Sequence, residues 1–271
     1  MRLPVRKTYK LFIGGAFPRS ESGRTYLAED QNVARASRKD VRDAVVAARK
    51  AFDKWARLTA YNRGQILYRI AEMMESRRSD LIEEVARADG EGESEKQVDD
   101  SIDLWVWFAG WTDKLTQVMG GLNSVAGPYF NLTAPEPTGI AGVVVPERPS
   151  LLGLVARLAP ALCGGNTVVA LASERAPLPA VALAECMAVS DVPSGVANIL
   201  TGFKSELVPV LAGHLDVDAI DVTGVDEDML ADVERVAAEN VKRIVHAGDG
   251  PTPYDATAFM EMKTVWHPKG P

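Results

Sequence analysis

Hydrophobic positions along the chain change their period near residue 130. Before it they recur at helical spacing: Val41, Ala44, Val45, Ala48, Phe52 and Trp55 form one stripe, and Ile66, Leu67, Ile70, Ala71 and Met74 a second, over 62–76. Ser37 and Asp40 make a capping-box-like start for the first of these helices. A third helix runs from Asp80 and is stopped by Asp89-Gly90-Glu91-Gly92. The fourth is predicted as one long helix, with Val98, Ile102, Trp105, Phe108, Leu115 and Met119 on one face. Trp105, Trp107, Phe108 and Trp111 cluster on it at core spacing, so they read as packing rather than as a ligand cage. A short hairpin is expected over 10–17, around Gly14-Gly15. After residue 139 the pattern becomes short, unbroken apolar runs at 140–145, 167–172, 196–200, 217–222 and 241–247, alternating with helical segments. Runs without polar alternation are strands covered on both sides. The fold predicted is α/β, a parallel sheet with helices on both faces and helices ahead of it.

Composition narrows the function classes. With 46% hydrophobic and 25% charged residues in 271, the chain can bury a large core. Its net charge is −7 and its basic residues are dispersed, which argues against a nucleic-acid partner. Cys163 and Cys186 make neither a disulfide framework nor a metal motif, and His214, His246 and His267 are scattered, so no metal site is expected. No stretch approaches the roughly 18 apolar residues of a membrane span, and the first residues lack a secretory apolar core. A soluble cytoplasmic protein with no membrane partner is the expectation.

Several motifs of the second half occur in a telling order: 143–146 Val-Val-Val-Pro, 158–169 Leu-Ala-Pro-Ala-Leu-Cys-Gly-Gly-Asn-Thr-Val-Val, Ser173-Glu174, 191–202 Asp-Val-Pro-Ser-Gly-Val-Ala-Asn-Ile-Leu-Thr-Gly, and 221–224 Asp-Val-Thr-Gly. Together they resemble the coenzyme-binding domain of the NAD(P)-dependent aldehyde dehydrogenase superfamily. The resemblance implies a Rossmann-like parallel sheet with helices on both faces, N-terminal helices and a projecting β oligomerisation arm. Residues 1–128 would form the N-terminal helical part, 129–142 the arm, 143–247 the Rossmann-like core and 259–271 a C-terminal strand that pairs with the arm. Residues 248–258 are rich in Gly and Pro and read as a linker standing where the family carries its catalytic domain. Fully extended, that linker spans at most about 36–40 Å, enough to cross a face of a small domain. By the same resemblance Phe130, Leu132, Ile140, Met260, Met262, Val265 and Trp266 are the candidate interface residues.

Aldehyde oxidation through a thioester needs a thiolate, a base and donors aimed at an oxyanion. The resemblance places the family's cysteine in the absent domain, and Cys163 and Cys186 read as small buried hydrophobes. Where the family has its glutamate base, this chain has Ile244-Val245-His246-Ala247-Gly248, and where it has the oxyanion amide, Arg148. No catalytic residue is therefore expected. Of the family's ribose-binding Lys and Glu, Glu174 remains and Leu171 replaces the lysine. Thr223-Gly224 stands where a helix N-terminus would meet a pyrophosphate, but Asp226, Glu227 and Asp228 crowd that positive end; they are equally ordinary first-turn residues. No cofactor is expected; were NAD or NADP bound, Glu174, Gly202 and Gly224 would hold it. The reading is a non-catalytic subunit that assembles with a full-length aldehyde dehydrogenase, or with itself, through the arm. Its alternatives are a coenzyme cleft lent to a shared aldehyde-oxidising site and a stand-alone NAD(P)-binding protein.

Overall fold

Ser37 opens the first helix as its spacing predicts: its Oγ accepts the N–H groups of Lys39 (3.2 Å) and Asp40 (3.4 Å), and the Asp40 carboxylate accepts the Ser37 N–H at 2.7 Å. The computed structural model describes residues 7–246, 248 and 250–270. A small sheet comes first, β1 (Thr8–Tyr9), β2 (Thr25–Ala28) and β3 (Gln31–Ala34), followed by α1 (Arg38–Ala56), α2 (Ala60–Ser76), α3 (Arg78–Asp89), a 3-10 turn (Glu91–Glu93), α4 (Ser94–Trp111) and α5 (Leu115–Met119). Then come β4 (Gly121–Asn123), β5 (Tyr129–Pro137), β6 (Ile140–Val144), α6 (Leu152–Cys163), β7 (Thr167–Leu171), α7 (Leu178–Met187), β8 (Ala197–Leu200) and α8 (Lys204–Ala212). The chain closes with β9 (Ala219–Asp221), α9 (Glu227–Ala238), β10 (Arg243–Val245), α10 (Pro253–Thr257) and β11 (Met260–Pro268).

The central sheet has the order β10-β9-β6-β7-β8, all parallel. Its strands lack polar alternation because each face meets helices. Ala141, Val143, Val168 and Ala170 pack with α2, α3, α4, α6 and α7, whereas Ile140, Val144, Val169 and Ile220 pack with α1, α8 and α9. The predicted hairpin forms at Ile13 and Ala16, turned by Gly14 and Gly15 at φ 61° and 78°. Phe12 bridges Ile199, so this hairpin covers the outer edge of β8.

The fourth helix departs from expectation. It ends at Trp111 and restarts as α5, because the Thr112 hydroxyl turns back to donate to the Ala109 carbonyl (2.9 Å), against α2 at Gly64. Trp105 and Phe108 are core, with Trp107 and Trp111 packed against them.

A third sheet, β11-β5-β4, is antiparallel. Every residue of β11 pairs with β5, from Met260 with Pro137 to Pro268 with Tyr129. Two interface expectations need correction. Ile140 is 0% exposed, because β5 ends at Pro137 and residues 140–142 already belong to the central strand β6 rather than to the arm. Met260, 5% exposed, is the one buried residue of β11 and lies against Gly164. The stretch read as a linker also contains α10, whose Thr252 and Asp255 form a capping box and whose Ala256 is buried against α6. Ala247 and Asp249 fall outside the described residues.

Phe259 fastens this return. Its ring is 1% exposed in the main core, and its carbonyl accepts from the Thr138 N–H (3.2 Å) and hydroxyl (2.9 Å) at the start of β6. Phe259→Ala is expected to cost about 3–5 kcal/mol in urea unfolding. Trp266→Ala, on the exposed part of the same strand, should cost under about 1 kcal/mol.

Candidate functional site

Strand order reverses between β6 and β9: the chain moves outward through β7 and β8, then returns to lay β9 and β10 on the other side of β6. In such sheets the crevice outside the carboxyl ends at the reversal is where ligands bind. Four loops meet there: Pro146-Glu147 after β6, Ser173-Glu174 after β7, Gly202-Phe203-Lys204 after β8 and Thr223-Gly224 after β9. Gly224 donates its N–H to the Val144 carbonyl at 2.9 Å, and a Cβ there would lie 2.1 Å from the Val145 oxygen. Only glycine lets these two loops close on each other. Gly202, at φ 151°, instead backs onto Ala36, whose N–H would lie 3.2 Å from an added Cβ.

The middle of the crevice is filled by Lys204, the first residue of α8 and 4% exposed. Its Nζ donates to the Gly224 carbonyl at 3.1 Å and pairs with Glu147 at 2.5 Å. Glu147 also accepts from the Ser173 hydroxyl (2.8 Å) and from the N–H groups of Glu174 (3.3 Å) and Arg175 (3.0 Å). Half-burial opposes its charge, but the Lys204 ammonium, the Arg175 N–H and the Ser173 hydroxyl outweigh that and hold its carboxyl below the usual glutamate value. Glu174 turns its own carboxylate onto the Lys204 N–H at 2.9 Å, capping α8. Below them, fully buried Asp221 pairs with Arg157 of α6 at 3.6 Å and accepts the Thr223 N–H at 2.9 Å. Burial raises its carboxyl, with Thr223 and Arg157 offsetting only part of the rise.

This strand order and loop arrangement coincide with the matches to known proteins. The profile described as "Aldehyde dehydrogenase family" matches residues 28–255. The chain belongs to the aldehyde dehydrogenase family. It is 34% identical over 291 residues to the cytosolic 10-formyltetrahydrofolate dehydrogenase of Mus musculus, covering 99% of this chain and 32% of that one. With the mitochondrial benzaldehyde dehydrogenase of Antirrhinum majus it shares 32% identity over 265 residues, 93% of this chain and 49% of the relative. The NAD+ complex of aldehyde dehydrogenase from Bacillus cereus superposes with a TM-score of 0.82 at 26% identity, covering 89% of this chain and 50% of that one. The chain thus spans a third to a half of the length of these aldehyde dehydrogenase relatives.

Of the residues singled out from the aldehyde dehydrogenase resemblance, Glu174, Gly202 and Gly224 all stand at the crevice. The cysteines do not. Cys163 ends α6 at the opposite end of the sheet, with its Sγ 3.3 Å from the Phe108 carbonyl, and burial pushes its thiol up to about 12. Cys186 is buried on α7, its thiol pushed up to about 11. Arg148 reaches outward to Asp89 at 3.5 Å, and His246 is exposed just past β10. Lys204 and Arg157 escaped sequence reasoning, since a single cation at a helix start or on a helix face carries no motif. Their partners, Glu147 and Asp221, lie on segments distant in sequence. A separate open groove of about 1010 Å³ between the first turn of α1 and the far end of α8 holds none of the predicted site residues. Among the described residues no acidic, histidine or cysteine cluster could hold a metal ion, and no helix is long and apolar enough to cross a membrane.

Two outcomes follow from this chemistry. A chromogenic disulfide reagent at mildly alkaline pH should leave both thiols untouched in the native protein and titrate both in denaturant. A glutamate held below its ordinary value of 4.5 supplies stability that is present above that value and is lost as pH falls through the lower folded one. Glu147→Gln should therefore cost about 1.5–3 kcal/mol near neutrality. It should also flatten the fall in urea stability as pH drops below the ordinary glutamate value of 4.5.

Proposed function

We propose that this chain serves as a non-catalytic member of the aldehyde dehydrogenase family, a subunit that assembles through its arm sheet. The observation that carries this reading is an apolar stripe across all three arm strands. Leu122, Leu132 and Val265 are register partners on one face, 65%, 50% and 60% exposed, with Phe130 beside them. Met262 and Trp266 lie on the opposite face, where Trp266 meets Tyr129 edge to face at 5.8 Å. Eight of the nine β11 residues are exposed, and within the described chain the outer edge of β11 has no strand beside it. An open nine-residue edge carrying an apolar stripe among charged side chains is a seat for another chain's strand, and a liability without one. The partner proposed is a full-length aldehyde dehydrogenase subunit; a second copy of this chain is the other occupant the same surface would accept.

The crevice supports the non-catalytic side of the reading. A dinucleotide needs free donors for its phosphates, and here the Ser173 hydroxyl, the Glu174, Arg175 and Gly224 N–H groups and the Lys204 ammonium are all engaged within the chain. Asp226, Glu227 and Asp228 add negative charge where α9 begins. The engaged donors weigh against NAD or NADP, although α9 itself begins without a side-chain cap, and no reactive thiol faces the crevice. A cleft lent to a partner's aldehyde-oxidising site draws on the NAD+ held by similar structures such as that of Bacillus cereus, and the engaged donors weigh against it. Two buried, unpaired thiols suit a reducing compartment such as the cytoplasm.

Co-expression with a full-length aldehyde dehydrogenase, followed by native mass measurement, is expected to give a mixed oligomer. Leu132→Lys with Val265→Asp, opposite charges across one register pair, should abolish it while costing no more than about 1 kcal/mol of unfolding stability. A wild-type chain that remains monomeric both alone and beside every full-length enzyme tested would end the proposal.

A further inference from the structure

The donors that converge on Glu147 make up an anion seat. Four of them, the Ser173 hydroxyl at 2.8 Å, the Glu174 and Arg175 N–H groups at 3.3 and 3.0 Å and the Lys204 ammonium at 2.5 Å, surround one carboxylate. They come from two different loops, after β7 and after β8, while the carboxylate comes from a third, after β6. Successive backbone N–H groups beside a hydroxyl and an ammonium are the set that receives a tetrahedral oxyanion. Lys204 is buried, so its charge needs an anion at that place whatever supplies it. Glu147, by contrast, is about one-third open on its outer side, with a side-chain exposure of 30%, so an ion arriving from solvent has a path to the seat. Glu174 repeats the device at shorter range, its carboxylate set on the first N–H of α8.

We propose that Glu147 is a built-in plug: its carboxylate occupies an oxyanion seat formed by Ser173, the 174–175 backbone and Lys204, and excludes phosphate-bearing ligands from the crevice of the native chain. Removing the carboxylate uncovers the seat for a phosphate group, whether free or carried by a nucleotide. This proposal is independent of whether the arm docks on a partner, because every group in it belongs to the crevice.

The test compares the full-length wild-type chain with Glu147→Ala and Glu147→Gln in equilibrium dialysis and thermal unfolding, at constant ionic strength, with inorganic phosphate, AMP and NAD as separate probes. In Glu147→Ala, phosphate should bind at least about 10-fold more tightly than in wild type, and the melting temperature should rise with phosphate concentration in the variant alone. Glu147→Gln loses the charge but still fills the seat, so it secures a folded comparison and should gain less. AMP or NAD binding as well as phosphate would mark the seat as open to nucleotides; phosphate alone would mark it as sized for the free ion, and either supports the plug. Ser173→Ala added to Glu147→Ala should weaken the acquired binding. The proposal is overturned if wild type binds any of the three as tightly as Glu147→Ala, or if both folded variants bind phosphate no better than wild type.

Discussion

A lysine ammonium that is almost wholly out of water must be neutralised, and the carboxyl ends of the central strands are arranged around that requirement. Lys204 draws Glu147 from the loop after β6, and its carbonyl partner Gly224 from the loop after β9. Glu147 in turn is held by Ser173 and the two following N–H groups after β7, while Glu174 caps the helix that Lys204 begins. Four loops are tied through one cation. In an open parallel sheet this reversal point is the natural ligand crevice, so placing the charge network there turns a binding feature into a packing feature.

The far end of the chain obeys a different constraint. β11 must return from β10 to β5 through a short connection, and Pro and Gly make that connection while α10 shortens the remaining distance and buries Ala256 against α6. Phe259 and Met260 enter the core, and from there outward β11 is paired with β5 along its whole register. The result is a ribbon anchored at one end by apolar burial and held along its length by backbone pairing. Its side chains face outward on both sides, which is why an apolar stripe remains uncovered by the chain itself.

The change of hydrophobic period made the helices and strands legible, because helical and extended periodicities follow from local backbone geometry. The capping box at Ser37 and the Gly14-Gly15 turn were equally local. The break between α4 and α5 was not, since the stripe from Val98 to Met119 continues through Thr112 and the interruption depends on how closely α2 approaches at Gly64. Ile140 and Met260 were misplaced for a related reason. Apolar residues in a strand read alike whether a neighbouring helix or nothing covers them, and only the packing shows that both are already buried.

By itself the sequence determined the parallel α/β core and the family, because these rest on residue identity and spacing along the chain. It also located Glu174, Gly202 and Gly224 at strand ends. Only the tertiary structure decided that Lys204 and Glu147 fill the crevice between them, and that Leu132 and Val265 share one face of the arm while Met262 and Trp266 share the other. Both are facts of pairing between distant segments. A charge acquires its partner, and a strand its register, only when loops far apart in sequence close on one another.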